Sequence, residues 1–78
     1  MRQFNISIRS FADIQEFVAL AIAQPFEVLV GNEGRLINAK SLMAMFTLNY
    51  RHPLLVSVDC DDAAYLQFQQ EAARFLAA

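Results

Sequence analysis

Gly34-Arg-Leu-Ile-Asn-Ala-Lys-Ser-Leu-Met-Ala-Met-Phe-Thr-Leu48 is the stretch that decides how this 78-residue sequence folds. It begins at the second glycine of Gly31-Asn-Glu-Gly34, whose glycines and asparagine suit a hairpin loop. Before the loop, Phe26-Glu-Val-Leu-Val30 is a short, apolar, β-branched run; after it, Arg35-Leu-Ile-Asn38 reads as the returning strand. Two antiparallel strands are therefore expected. From Ala39 to Leu48 the residues Ala39, Leu42, Met43, Ala44, Met45 and Phe46 predict a helix of about two and a half turns, ended by Asn49, which tolerates a left-handed cap. Ala39, Met43 and Phe46 fall roughly on one face of that helix and Leu42 and Met45 on others, so at least one large side chain is expected outside.

Working outward, Phe4, Ile6 and Ile8 alternate with polar residues from Gln3 to Arg9, the period of a strand with one buried face. Ser10 followed by Asp13 matches a helix-start pattern: the hydroxyl accepts a first-turn amide and the acid faces the positive end of the helix dipole. A helix should run to about Gln24, before Pro25. Phe11, Ile14, Val18, Ala21 and Ile22 form its expected inward stripe, widened by Phe17, with Ala19, Leu20 and Ala23 opposite. After the central stretch, Leu54-Leu-Val-Ser-Val58 predicts a fourth strand. Asp59, Asp61 and Asp62 start a last helix, on which Tyr65, Phe68, Ala72, Phe75 and Leu76 point inward. This order gives an α+β sandwich, an open antiparallel sheet with helices on one face, as a single domain over residues 1–78.

Composition narrows the function classes. With 56% apolar residues, net charge −2 and one cysteine, Cys60, no intrachain disulfide can form. A reducing, cytoplasmic setting is expected. The six basic residues are spread singly, which argues against a nucleic-acid or anionic-membrane partner. The longest apolar run, Phe17 to Ala23, falls far short of the roughly 20 residues that span a bilayer. Asp59, Asp61 and Asp62 with Glu33 lack the spacing of a calcium loop, so no metal or other cofactor is expected. Cys60 reads as a small buried hydrophobe.

The central stretch resembles the hairpin and second-helix signature of the HPr family, the small phosphocarriers of the bacterial sugar phosphotransferase system. There it reads approximately Gly-Lys-x-Val-Asn-(Ala/Leu)-Lys-Ser-Ile-Met-x-(Val/Leu)-(Met/Leu)-(Ser/Thr)-Leu, and element order and length agree over the whole chain. The resemblance implies an HPr-like open-faced sandwich with three helices on one face and sheet order first, fourth, second, third strand. It also places Ser41 at a serine that some members have phosphorylated, and Leu42, Met43 and Phe46 in a partner-docking patch. Serine in a first helical turn equally serves the backbone alone. Met45, and Leu20 from the far side of the first helix, complete the expected partner-binding set.

The family's phosphocarrier motif, approximately Gly-(Ile/Leu)-His-(Ala/Thr)-Arg-Pro-(Ala/Ser), is replaced here by Ser10-Phe-Ala-Asp-Ile-Gln-Glu16, with about three fewer residues before the first helix ends. The sole histidine, His52, lies beyond the second helix beside Pro53 and reads as a loop residue. Asp13, a conceivable acyl-phosphate nucleophile, reads as a helix-start charge, because such sites need a metal or clustered carboxylates. The leading expectation is a non-enzymatic, regulatory protein-binding module whose partner belongs to the phosphotransferase system or its regulation. The alternatives are a homodimeric structural domain, and a phosphocarrier with an atypical nucleophile.

Overall fold

In the computed structural model, which describes residues 1–32 and 34–77, the elements follow the expected order. They are β1 (Arg2–Ile6), α1 (Phe11–Ile22), β2 (Val28–Asn32), β3 (Arg35–Asn38), α2 (Leu42–Met45), β4 (Leu54–Val58) and α3 (Asp62–Glu71), with a 3-10 turn at Ala73–Phe75. The strands form one antiparallel sheet in the order β1-β4-β2-β3. Register follows the apolar alternation: Val56 of β4 sits opposite Phe4 on one side and Val30 on the other, and Val30 opposite Ile37. Ile6, Val28, Val30, Leu54, Val56 and Val58 are fully buried beneath the helices, which makes an α+β open-faced sandwich.

Aromatic rings weld the helices to that face. Phe17 of α1 meets Phe75 edge-on at 5.5 Å, and Phe68 of α3 meets Phe4 at 5.8 Å and Phe26 at 5.7 Å. Phe17 and Phe68 are wholly buried, so each contributes its full apolar area as well as favourable ring geometry. The chain end adds backbone pairing: Ser7 N–H donates to the Phe75 carbonyl at 2.7 Å, and Ala77 N–H to Asn5 at 3.0 Å.

The hairpin needs its glycines for different reasons. Gly34 has φ 81, in the left-handed region. Gly31 has no such angle, but a Cβ there would collide with the Arg35 carbonyl oxygen, backbone that cannot swing aside. β2 begins at Val28 rather than Phe26, because Phe26 turns aside to pack on Phe68.

α2 is shorter than expected, a single turn over Leu42–Met45 instead of Ala39–Leu48. At its front, Lys40 N–H donates to Asn38 Oδ1 at 2.9 Å and Ser41 N–H to the Asn38 carbonyl at 3.0 Å, a local turn that holds Ala39 and Lys40 out of the helix. At its back, Thr47 Oγ1 donates to the Ala44 carbonyl at 2.7 Å and the Tyr50 hydroxyl to the Met45 carbonyl, and the Thr47 and Leu48 amides reach the same two carbonyls at the tighter three-residue spacing that closes the helix. The shared face of Ala39, Met43 and Phe46 splits with this geometry: Ala39 is fully buried along with Met45, whereas Met43 is 80% exposed and Phe46 is exposed too, so large side chains are left outside as expected.

On α1 the buried residues are Ile14, Phe17, Val18 and Ala21. Phe11 and Ile22, expected inward, are exposed. At 100° per residue they lie roughly 70–90° to one side of that stripe. Leu76, also expected inward, is exposed where it forms a bridge beside Ile6.

Candidate functional site

The β1–α1 corner is locked by its own side chains. Ser10 caps α1, accepting Asp13 N–H at 3.2 Å, and Asp13 Oδ2 accepts Arg9 N–H at 3.0 Å. Arg74 then reaches across from the C-terminal turn, pairing with Asp13 at 2.9 Å and with Glu16. The Arg9 amide, aided by Arg74 against some desolvation, holds the Asp13 carboxyl below the usual carboxylate range. Asp13 is thus committed to the fold at the head of the helix, as expected for a helix-start charge.

Beside that corner lies an exposed apolar patch. Phe11 stacks on Phe46 with centroids 5.5 Å apart and planes 6° from parallel. Phe11 is 54% and Phe46 50% exposed, so the pair covers only part of itself, and Met43, on the α2 turn that Phe46 closes, is exposed as well. The α2 side of the patch is basic, while the α1 side carries Asp13 and Glu16. Arg35 donates to Thr47 Oγ1 at 3.2 Å next to Phe46, and residues 34–58 contain Arg35, Lys40, Arg51 and His52 but no acidic residue.

The expected partner-binding set divides in the structure. Met43 and Phe46 are exposed, Leu42 and Leu20 are half-buried against the core, and Met45 is fully buried and leaves the surface. Leu20 is also about 13 Å along α1 from Phe11. Phe11 is the surface residue that sequence reading missed; its offset from the α1 stripe was the available signal, whereas nothing local pointed to its stacking on Phe46. Ser41 caps α2, its Oγ accepting Ala44 N–H at 3.2 Å, so it occupies the cap rather than the first turn.

The α2–β4 connection folds back against the β1–α1 corner. Together they wall a cleft of about 610 Å³ with Ile8, Ile14 and Leu48 on its floor and Arg9 and Arg51 among its lining. His52 is exposed in the same connection but does not line the cleft. Burial pushes the Tyr50 phenol up to about 12.

Elsewhere, Asp61 caps α3 through Ala64 N–H at 2.8 Å and Asp62 pairs with Arg2, as their helix-start reading requires. Glu33 lies outside the described residues, among which no three metal-ligating side chains come together. Cys60 is half-buried rather than buried, and desolvation raises its thiol pKa. Among the described residues, no helix is long and apolar enough to cross a membrane.

With this geometry in place, the chain superposes on the crystal structure of HPr-C-His from Thermoanaerobacter tengcongensis with a TM-score of 0.75, over 95% of this chain and 92% of that one, at 20% identity. The chain has the HPr fold. A mycoplasma histidine-containing phosphocarrier protein matches it over 99% of this chain and 98% of its own, with a TM-score of 0.64 and 11% identity. No family model and no curated protein matches the sequence. The segment that the sequence resemblance aligns with the phosphocarrier motif, Ser10 to Glu16, is the cap and first turns of α1, and of the residues it aligns with the docking patch Met43 and Phe46 are exposed and Leu42 is half-buried.

Proposed function

We propose that this chain is a protein-binding, regulatory module on the HPr fold, related to the phosphotransferase system but not a histidine phosphocarrier. The observation that carries this reading is the solvent-facing Phe11–Phe46 stack beside Met43. Aromatic and methionine side chains held outside a small domain, at the cost of leaving apolar area in water, are what a protein interface uses as anchors. The basic α2 side of the patch argues for a partner that presents acidic residues beside an apolar contact.

Against phosphate transfer stand the absence of a histidine between Met1 and Arg51 and the carboxylates at the head of α1. A phosphoryl group approaching that helix start would meet Asp13, already holding the Arg9 amide, with Glu16 nearby through their shared Arg74. Asp13 and Glu16 are both paired with Arg74, so neither stands ready to accept a phosphoryl group. Ser41 is the point at which added charge would regulate the surface: a phosphate of roughly −2 charge would sit two residues from Met43 and repel an acidic partner.

Calorimetric titration against purified phosphotransferase-system proteins tests the reading. At least one is expected to bind, and the double variant Met43→Ser, Phe46→Ser is expected to weaken it by about tenfold to a hundredfold with an unchanged circular dichroism spectrum. Binding by none of them, or binding untouched by the double variant, contradicts it. A second copy of the chain is the competing occupant of the patch. Sedimentation at micromolar concentration is expected to give a monomer, and a dimer broken by the same two substitutions would reassign the surface.

A further inference from the structure

Of the six basic residues, four have side-chain partners: Arg2 pairs with Asp62, Arg35 with Thr47, Lys40 with the Gln24 carbonyl, and Arg74 with Asp13 and Glu16. Arg9 and Arg51 use only their backbone amides, to Asp13 and Asn49, and their guanidinium groups have no partner among the described residues. These two arginines line the same cleft. They come from separate segments, the β1–α1 corner and the α2–β4 connection, so only the fold brings them to one cleft. Between them the floor is apolar: Ile8, Ile14 and Leu48 are nearly buried, with exposures of 5%, 8% and 9%.

We propose that this cleft binds a small amphipathic carboxylic acid, its carboxylate on Arg9 and Arg51 and its hydrocarbon chain along Ile8, Ile14 and Leu48. The cleft, about 610 Å³, is open to solvent, so a ligand would lie along it rather than be enclosed. Guanidinium groups are matched to a carboxylate in shape and charge, and their weak hydration lowers the cost of the pairing. A compact anion such as phosphate would satisfy the arginines and leave the apolar floor wet, whereas a neutral alcohol of the same length would cover the floor and leave the charges unanswered. The proposal stands on the cleft alone and is separable from protein binding at the neighbouring Phe11–Phe46 surface.

Methyl-resolved NMR of the whole chain, titrated with sodium octanoate, octan-1-ol and inorganic phosphate in parallel, tests it. Octanoate is expected to give saturable shifts at Ile8, Ile14 and Leu48, with octanol and phosphate at least about tenfold weaker. Arg51→Gln and Arg9→Gln keep their backbone amides and lie outside the core, so the fold should persist while each weakens octanoate by about tenfold. Any of four results overturns the proposal: no saturable shift, octanol equal to octanoate, phosphate alone filling the site, or affinity unchanged in both arginine variants. Shifts confined to the Met43 methyl would likewise overturn it, because the acid would then be reading the docking patch.

Discussion

Asp13 accepts the Arg9 amide and pairs with Arg74, and so ties the start of α1 to the end of the chain. Because its folded pKa is lowered, it contributes stability above the ordinary carboxylate range, and that contribution is withdrawn as pH falls through the folded value. Asp13→Asn should therefore melt below the parent at neutral pH, with the gap closing in acid; melting temperature followed against pH checks this, and parallel curves would contradict it. Tyr50 works in the opposite direction. Burial raises its pKa to about 12, so the fold favours the neutral phenol, and that stabilisation is held below the ordinary tyrosine range and lost as pH climbs through the raised value. Tyr50→Phe removes the hydroxyl that donates to the Met45 carbonyl and should cost about 1 kcal/mol, read by denaturant unfolding. Ultraviolet titration should lose one late-ionising tyrosine in the same variant.

At the scale of elements, what the sequence makes legible depends on whether local chemistry or tertiary contact decides. The Ser10 and Asp61 caps were readable because the serine or aspartate and the amide it serves are three residues apart. The alternation Val28, Val30 and Leu54, Val56, Val58 was readable because sheet burial has a fixed period of two. The length of α2 was not. Its apolar content fits ten helical residues, but the last amides tighten to three-residue spacing and the Thr47 and Tyr50 hydroxyls bond the same carbonyls, which Tyr50 can do only once the following loop has folded back. The same closure buries Met45 and leaves Met43 and Phe46 outside, which is why the partner-binding residues read from the sequence separate in space. Ser41 tests this element. Ser41→Ala, which loses the cap to Ala44 N–H, should destabilise by about 0.5–2 kcal/mol, whereas Ser41→Asp keeps a capping acceptor and should stay near parental stability. Thermal unfolding of both decides it, and equal losses would show that the hydroxyl is not acting as a cap.

For the whole molecule, the tension is between small size and apolar excess. A chain of 78 residues at 56% apolar must hide enough surface to be stable, and it does so in one face of a sheet under Phe17, Phe68 and Phe75. Met1, Ile22, Leu36, Leu66 and Leu76 are exposed singly around the surface, whereas Phe11 and Phe46 stack on one another close to Met43, with the Asp13 and Glu16 carboxylates on the α1 side and Arg35 and Lys40 on the side of the hairpin and α2. On the HPr fold, this patch lies beside the segment Ser10 to Glu16, which the sequence resemblance aligns with the phosphocarrier motif and which holds no histidine. The reading therefore turns on whether the chain accepts phosphate at all. Intact-mass spectrometry after incubation with phosphoenolpyruvate and the first enzyme of the phosphotransferase system measures that directly. The account predicts an unchanged mass under conditions that charge a histidine-containing HPr; an acid-labile phosphate on the chain, lost in a His52→Ala variant, would contradict it.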